Sequence, residues 1–273
     1  MGTEKPHLSI SQLDMLSRCG EQYHRRYIRG EIIPPAIAML VGRTIDGTVN
    51  PNLGRKLEKA PLMSLEEIAD LAASCFNKEW DKGDVWLTDE EAVLGIKAAK
   101  GNALDKSVRL SKLHAAELAP AIEPTHLQRK VKVELPNYPY DLLGFIDIQE
   151  GSKSIRDTKS SGKTPPKDIA DKSDQLTMYG MMALVIDGVI PKNFYLDYLI
   201  DLKTPKSQVF ASQRDKQDFK PILRRIEAAS LALEKGVFIP ARETDWWCNK
   251  KWCGYWPTCP YVKRERRPIN GKN

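Results

Sequence analysis

Nowhere in the 273 residues does an apolar run approach the roughly 20 needed to cross a bilayer, and the opening MGTEKPHLS lacks the hydrophobic stretch of a secretory signal. These absences lead us to expect a cytoplasmic protein without a membrane association. No internal repeat or low-complexity tract stands out, so nothing points to a repeat architecture. Cysteines number only five, at positions 19, 75, 248, 253 and 259. So odd and uneven a set suits metal binding better than a disulfide framework in a cytosolic chain. Nor is there a strong charge bias: the formal net charge of +6 is an excess that many ordinary enzymes share. What is present is a hydrophobic fraction of 41%, enough to bury a substantial core.

Two basic clusters punctuate the chain, Arg25, Arg26 and Arg29 near the start and Lys263, Arg264, Arg266 and Arg267 near the end. Either can face phosphates or simply be solvated. The first 120 residues read as helical. Leu13, Leu16, Tyr23 and Tyr27 recur at helical spacing after a start signal at Ser11. Ser64 with Glu67 and Thr88 with Glu91 each form a capping box, and 65–80 reads as an amphipathic helix carrying Cys75 as a core residue. From Thr125 the period changes to two, with Val131, Val133 and Leu135 alternating with charged residues. A PNYP turn, a strand from Asp141 to Gln149, a tight turn at Glu150-Gly151-Ser152 and a strand from Ser154 to Lys159 follow. Beyond the SSGKTPPKD loop we expect a helix from Asp168 to about Ile186, a strand at NFYLDYLID, an edge strand at 207–212 and a helix from Asp215 to Lys235, with Ile222, Ile226, Leu231 and Leu233 as its apolar positions.

Asp157 and Lys159 stand two apart on one strand, so the pleat points both to the same face. Asp147 sits on the neighbouring strand, where a hairpin brings its carboxylate toward Asp157. Two carboxylates and an ammonium at one place suit phosphodiester hydrolysis: hard oxygens hold Mg²⁺, and the cation orients or helps to deprotonate the attacking water. A bare Asp-x-Lys is far more often a cross-strand salt bridge on a solvated face. Three features weigh against that. Asp147 is framed by Phe145, Ile146 and Ile148, where an unpaired charge is costly. Gln175 and Tyr179 share one face of the following helix, and Asp46 lies in a helix beside Gly42 and Gly47.

Together these pieces resemble the PD-(D/E)XK nuclease superfamily, and within it the RecB-like exonucleases, over about residues 8–260. In the terms of that resemblance Asp147 matches the first metal-binding acid, Asp157-Thr158-Lys159 the (D/E)XK element, and Gln175 with Tyr179 the QxxxY motif. Asp46 stands where such members carry a His in G-x-x-x-H. The resemblance implies an α/β fold, a mixed central sheet flanked by helices in the order α-β-β-β-α-β. One nuclease domain would then span 1–260, with a helical part at 9–120, a catalytic core at 125–240, a cysteine-rich segment at 246–260 and a basic tail at 261–273. It further implies catalytic roles for Asp147, Asp157, Lys159, Gln175 and Tyr179. Mg²⁺ or Mn²⁺ would be held by Asp46, Asp147, Asp157 and the Thr158 backbone carbonyl.

Cys248, Cys253 and Cys259 fall within twelve residues amid Trp246, Trp247, Trp252, Tyr255 and Trp256, and Cys19 can complete a four-thiol set. Spacing alone leaves zinc and iron–sulfur chemistry open. The arrangement is similar to that of AddB-type and CRISPR-associated nucleases, which implies a 4Fe-4S cluster, although the gap from Cys248 to Cys253 is wider than those relatives commonly show. The expected protein is thus a DNA exonuclease of recombination, repair or processing. It would act on single-stranded DNA or a free end, with a helicase or recombination protein as partner. The alternative is a non-catalytic nucleic-acid-binding or assembly subunit that keeps the fold.

Overall fold

A computed structural model describes residues 5–262. The basic positions Lys263 to Arg267 lie outside the described residues. The chain enters through a two-residue strand that the sequence reading did not show, β1 (His7–Leu8). The first helix, α1 (Ile10–Arg18), is opened by Ser9 rather than Ser11, in a capping box with Gln12. It ends at Cys19, whose backbone is extended, and the chain resumes helix as α2 (Gly20–Tyr23) and a π turn at His24–Ile28. The Leu and Tyr periodicity therefore runs across a break, and the break is what turns the Cys19 thiol inward. Next come α3 (Ile37–Leu57), α4 (Leu65–Trp80), α5 (Asp89–Leu94) and α6 (Ile96–Leu113). Both expected capping boxes, Ser64 with Glu67 and Thr88 with Glu91, are formed.

The second half supplies β2 (His126–Val133), β3 (Asp141–Glu150), β4 (Ser154–Ser161), α7 (Asp174–Asp187), β5 (Asn193–Ile200), β6 (Lys206–Ser212) and α8 (Phe219–Glu234). Leu135 falls past the end of β2. The sheet runs β1-β3-β4-β5-β6, with β2 antiparallel on β3. α7 carries the crossover between the parallel pair β4 and β5, and β6 is the expected edge strand. A mixed sheet flanked by helices is the architecture anticipated above.

Two helix starts come later than expected. Residues 168–173 are held as turns because Arg214 donates to the Ala170 carbonyl at 2.6 Å and to Asp171 at 3.2 Å, so α7 begins at Asp174 behind the Ser173 cap. The segment Asp215–Asp218 spends its amides locally, Asp215 N–H on the Asp218 carboxylate and Gln217 N–H on Asp215, and α8 begins at Phe219. Leu231 points outward, 58% exposed, and Ala229 takes its place in the core beside Ile222, Ile226 and Leu233. Cys75 is only half-buried, its thiol against Gly47 of α3.

Two cores result. One lies between the sheet and α1, α7 and α8, and the other beneath α3, α4 and α6. Contacts distant in sequence tie the N-terminal helices to the C-terminal segment. Gly20 N–H donates to Ile239 at 2.6 Å, and a Cβ at Gly20 would sit 2.5 Å from Ile239 nitrogen, so only glycine allows that approach. Arg25 is buried and donates to Glu31, to Thr258 Oγ1 and to the Tyr255 carbonyl. It is a structural pin, not the phosphate contact that its basic cluster suggested, and Arg29 is paired with Glu31 at 2.7 Å. Among the described residues no helix is long and apolar enough to cross a membrane.

Candidate active site

β3 and β4 meet only at the turn end of their hairpin. Register pairs Glu150 with Ser154, Gln149 with Ile155 and Ile148 with Arg156, and there the pairing stops. Beyond that point β4 stays on β5 through Ser161, while β3 stays on β2. Asp147 and Asp157 are the next residues on either side of this split, which is why they face each other across an opening and not across a hydrogen-bonded ladder.

The split has a backbone cause on its other side. In the register of β2 on β3, Gln128 falls opposite Asp147, and it is the one position where that ladder is interrupted. Its φ is +47°, in the left-handed region that costs a non-glycine residue about 1–3 kcal/mol. The distortion aims its side chain at the seam: Gln128 Nε2 donates to Asp147 Oδ1 at 3.1 Å. Here β3 also changes company, since Ile146 packs in the core against α7 and α8 and Ile148 in the core under α3, α4 and α6. Asp147 is the seam. The sequence reading missed Gln128, because an exposed glutamine in a strand carries no signal. We predict that Gln128→Gly unfolds at a denaturant concentration no lower than the parent, whereas Gln128→Val loses about 1–2 kcal/mol more because a β-branched residue resists positive φ. Equal midpoints for the two variants would show that the strain is not there.

Asp157 is wholly buried, and Lys159 Nζ lies 2.7 Å from its Oδ2. Besides that ammonium and the Asp147 carboxyl, no donor among the described residues reaches either oxygen. Asp46 on α3 completes the group. Burial raises its pKa to about 6, eased by Lys159 and reinforced by Asp157. The Asp147 carboxyl is raised further, first by burial, then by the charges of Asp157 and Asp46. Burial opposes the charge of Lys159, but the three carboxylates outweigh it and hold it above the ordinary lysine value. Three acids and one ammonium carry about two negative charges once ionised. Unsatisfied hard oxygens with that excess fit a divalent cation, and no neutral side chain could take its place.

Gln175 and Tyr179 stand on α7 one turn apart, with Gln175 Nε2 donating to the Tyr179 hydroxyl at 3.0 Å. The Tyr179 ring packs against the strand at Gly144, so it closes over the strand at the split. Glycine at 144 leaves room for this: a Cβ there would lie 3.1 Å from the Tyr179 ring and 3.0 Å from Met182 sulfur, so those side chains would have to give by a few tenths of an ångström. The pair thus braces the strand that bears Asp147. Thr158 lies between Asp157 and Lys159 with its hydroxyl buried and without a partner among the described residues. On the opposite face Arg156 makes a two-pronged ion pair with buried Asp197, at 2.8 Å to each oxygen, and stacks on Tyr195.

Cys19, Cys248, Cys253 and Cys259 line one small pocket together with Trp247, Tyr255 and Trp256. Burial, then the neighbouring Cys19, Cys253 and Cys259, raises the pKa of Cys248. Gln22 Nε2 donates to Cys253 sulfur at 3.0 Å, and the Ala241 N–H to Cys19 sulfur at 3.4 Å. Four thiols lining one pocket, two of them receiving N–H donors, are the groups that a thiolate-bound centre would use. Among the described residues no three His, Cys, Asp or Glu side chains are already drawn into a metal-binding set.

The family model of the PD-(D/E)XK nuclease superfamily matches residues 7–260. Among solved structures, a protein of Eubacterium rectale provisionally named an exonuclease is 14% identical. The match covers 95% of this chain and 90% of that one with a TM-score of 0.58, a likeness of fold. The structure of SSO0001, also 14% identical, covers 78% of this chain and 94% of its own, with a TM-score of only 0.35. No curated protein matches the chain.

Proposed function

The chain belongs to the PD-(D/E)XK nuclease superfamily, and from that premise we propose that it is a Mg²⁺- or Mn²⁺-dependent deoxyribonuclease, an exonuclease working from a free DNA end in recombination, repair or processing. Membership itself makes it a nuclease, a hydrolase of phosphodiester bonds in nucleic acid. One observation carries the finer reading: at the split, buried Asp157 faces Asp147 and Asp46 with only Lys159 to answer their charge. Asp46, Asp147, Asp157 and the Thr158 carbonyl are the groups that would hold the cation. When bound, it supplies charge stabilisation for the phosphate and acidifies a water.

The chain's own part follows from its geometry. Lys159, 2.7 Å from the Asp157 carboxylate, is placed to orient the attacking water or a phosphate oxygen or to help deprotonate that water. Gln128 holds the Asp147 carboxylate, and Tyr179 packs on its strand at Gly144. The exonuclease assignment is supported by Gln175 and Tyr179 following Asp157 and Lys159 in the RecB-like order. To the four-cysteine pocket we assign a 4Fe-4S cluster, supported by the N–H donors on Cys19 and Cys253. Zinc is the alternative, and a colourless protein with one equivalent of zinc would establish it. A helicase or recombination enzyme is the partner that would supply free ends.

Digestion of end-labelled single-stranded and duplex DNA with Mn²⁺ tests the assignment. Lys159→Ala and Asp157→Ala are each expected to slow cleavage by about 10²- to 10³-fold. Parental rates in either variant would refute it, and metal-independent binding without cleavage would return the protein to a non-catalytic binding role.

A further inference from the structure

A second feature lies along α3 from the carboxylates. Met39, Arg43 and Asp46 fall at i, i+4 and i+7 and so share one face of that helix. Arg43 is one turn, about 5 Å, from Asp46, and Met39 about one turn further. At Arg43 and Met39 the face opens into a groove of about 270 Å³ walled by Arg18, Arg26, Trp86 and Trp252. The residues lining it include three arginines and no carboxylate. Arg43 is shared with Glu79 at 3.3 Å, but neither Arg18 nor Arg26 has a carboxylate partner among the described residues. The apolar walls are exposed rather than packed: Trp252 is 55% exposed and Met39 50%. Trp86 is fixed by its N–H on the Pro35 carbonyl, and Trp252 by edge contact with Trp246. Arg25, the next residue to Arg26, is pinned in the interior, which turns Arg26 toward the groove.

We infer that this groove is a binding site for single-stranded polynucleotide leading into the cleavage site, with bases stacked on Trp252 and Trp86 and phosphates held by Arg18, Arg26 and Arg43. Interleaved indoles and guanidiniums are the chemistry that takes a single strand without reading its sequence, since every base has a π face and every linkage a charge. A duplex offers the charge but not the faces: its bases are already stacked on one another and closed to Trp252. A protein partner would bring side chains of both signs, and the groove answers only one. The inference rests on the nuclease reading and adds the path of the strand. It also gives Trp252 a role of its own, since its exposed indole lines the groove while Cys253 beside it is buried.

The test is fluorescence anisotropy with a fluorescein-labelled oligodeoxythymidylate of about 15 nucleotides, in EDTA so that nothing is cleaved. Trp252→Ala with Arg26→Ala is expected to weaken binding by about 10- to 100-fold and to lower the salt dependence by about one unit of slope. Trp252→Phe should restore most of the affinity. Hydrolysis of bis(p-nitrophenyl) phosphate with Mn²⁺, a substrate too short to span from the carboxylates into the groove, should be unchanged in all three proteins. If the double variant binds the oligonucleotide as tightly as the parent, the groove assignment is wrong. Should that variant fail to fold, ultraviolet cross-linking of the oligonucleotide to the parent decides: adducts on Trp252 or Trp86 support the site, and adducts only elsewhere overturn it. Groove-dependent binding with no hydrolysis of DNA or of the small ester would sink the nuclease chemistry and leave the groove standing. Unaltered binding with active hydrolysis would do the reverse.

Discussion

Asp147→Asn is expected to abolish metal-dependent cleavage, by about 10³-fold or more, and at the same time to make the metal-free protein more stable at pH 8. Both effects have one origin. The Asp147 carboxyl is raised by burial and by the charges of Asp157 and Asp46, so its ionised form opposes the fold. An acid with a raised folded pKa contributes stability in full below its unfolded value, near 4, and loses that contribution as pH climbs through the folded value. For Asp46 the loss ends near pH 6, and for Asp147 it extends above that. The metal-free parent should therefore resist urea better at pH 5 than at pH 8. Asparagine removes the charge yet keeps the oxygen that accepts from Gln128, and should recover about 1–2 kcal/mol at pH 8. Added Mn²⁺ should stabilise the parent at pH 8 and leave the variant nearly unmoved. A variant no more stable than the parent at pH 8 would mean that the carboxylates do not repel one another as described.

The second large effect is expected from Cys19→Ser. If the four thiols share one inorganic centre, that centre closes a loop running from Cys19 to the C-terminal segment. Constraining so long a loop contributes about 5 kcal/mol on a chain-entropy model. The variant should lose the visible absorbance of the cluster and unfold well below the parent, while Cys75→Ser, whose thiol lies against Gly47 away from the four-cysteine pocket, should leave both unchanged. Contacts of Gly20 with Ile239 and of Arg25 with Tyr255 and Thr258 remain, so the ends of the variant should separate only in part. Parental absorbance and midpoint in Cys19→Ser would show that the thiols hold nothing in common.

Local chemistry was readable from the sequence wherever the cause was local. Ser64 and Glu67 are three residues apart and cap each other, and Asp157 and Lys159 are two apart on a strand and share a face. The order of strands and helices was also legible, and it brought Gln175 and Tyr179 over β3. What escaped was set by residues far apart. Arg214 decides where α7 starts by occupying the carbonyls of Ala170 and Asp171. Arg25 reads as a surface cation until Thr258 and Tyr255 are seen to receive it. Gln128 gains its meaning only from Asp147 opposite, in a register that no pattern of hydrophobicity specifies. Asp46 was named from the sequence through the resemblance, but its place beside Lys159 and Asp157 depends on how α3 lies against the sheet.

The split between β3 and β4 has a mechanical side. Three paired positions join β4 to β3, all at the turn, and eight join it to β5. β4 is therefore a cantilever, clamped along its length on one flank and hinged at Ile148 and Arg156 on the other. The gap between Asp147 and Asp157 can widen or narrow by flexing at that hinge without breaking a ladder bond, because no ladder bond spans it. Stiffness is placed where the fold needs it, in β4 against β5, and compliance where two acids must adjust their spacing to whatever comes between them.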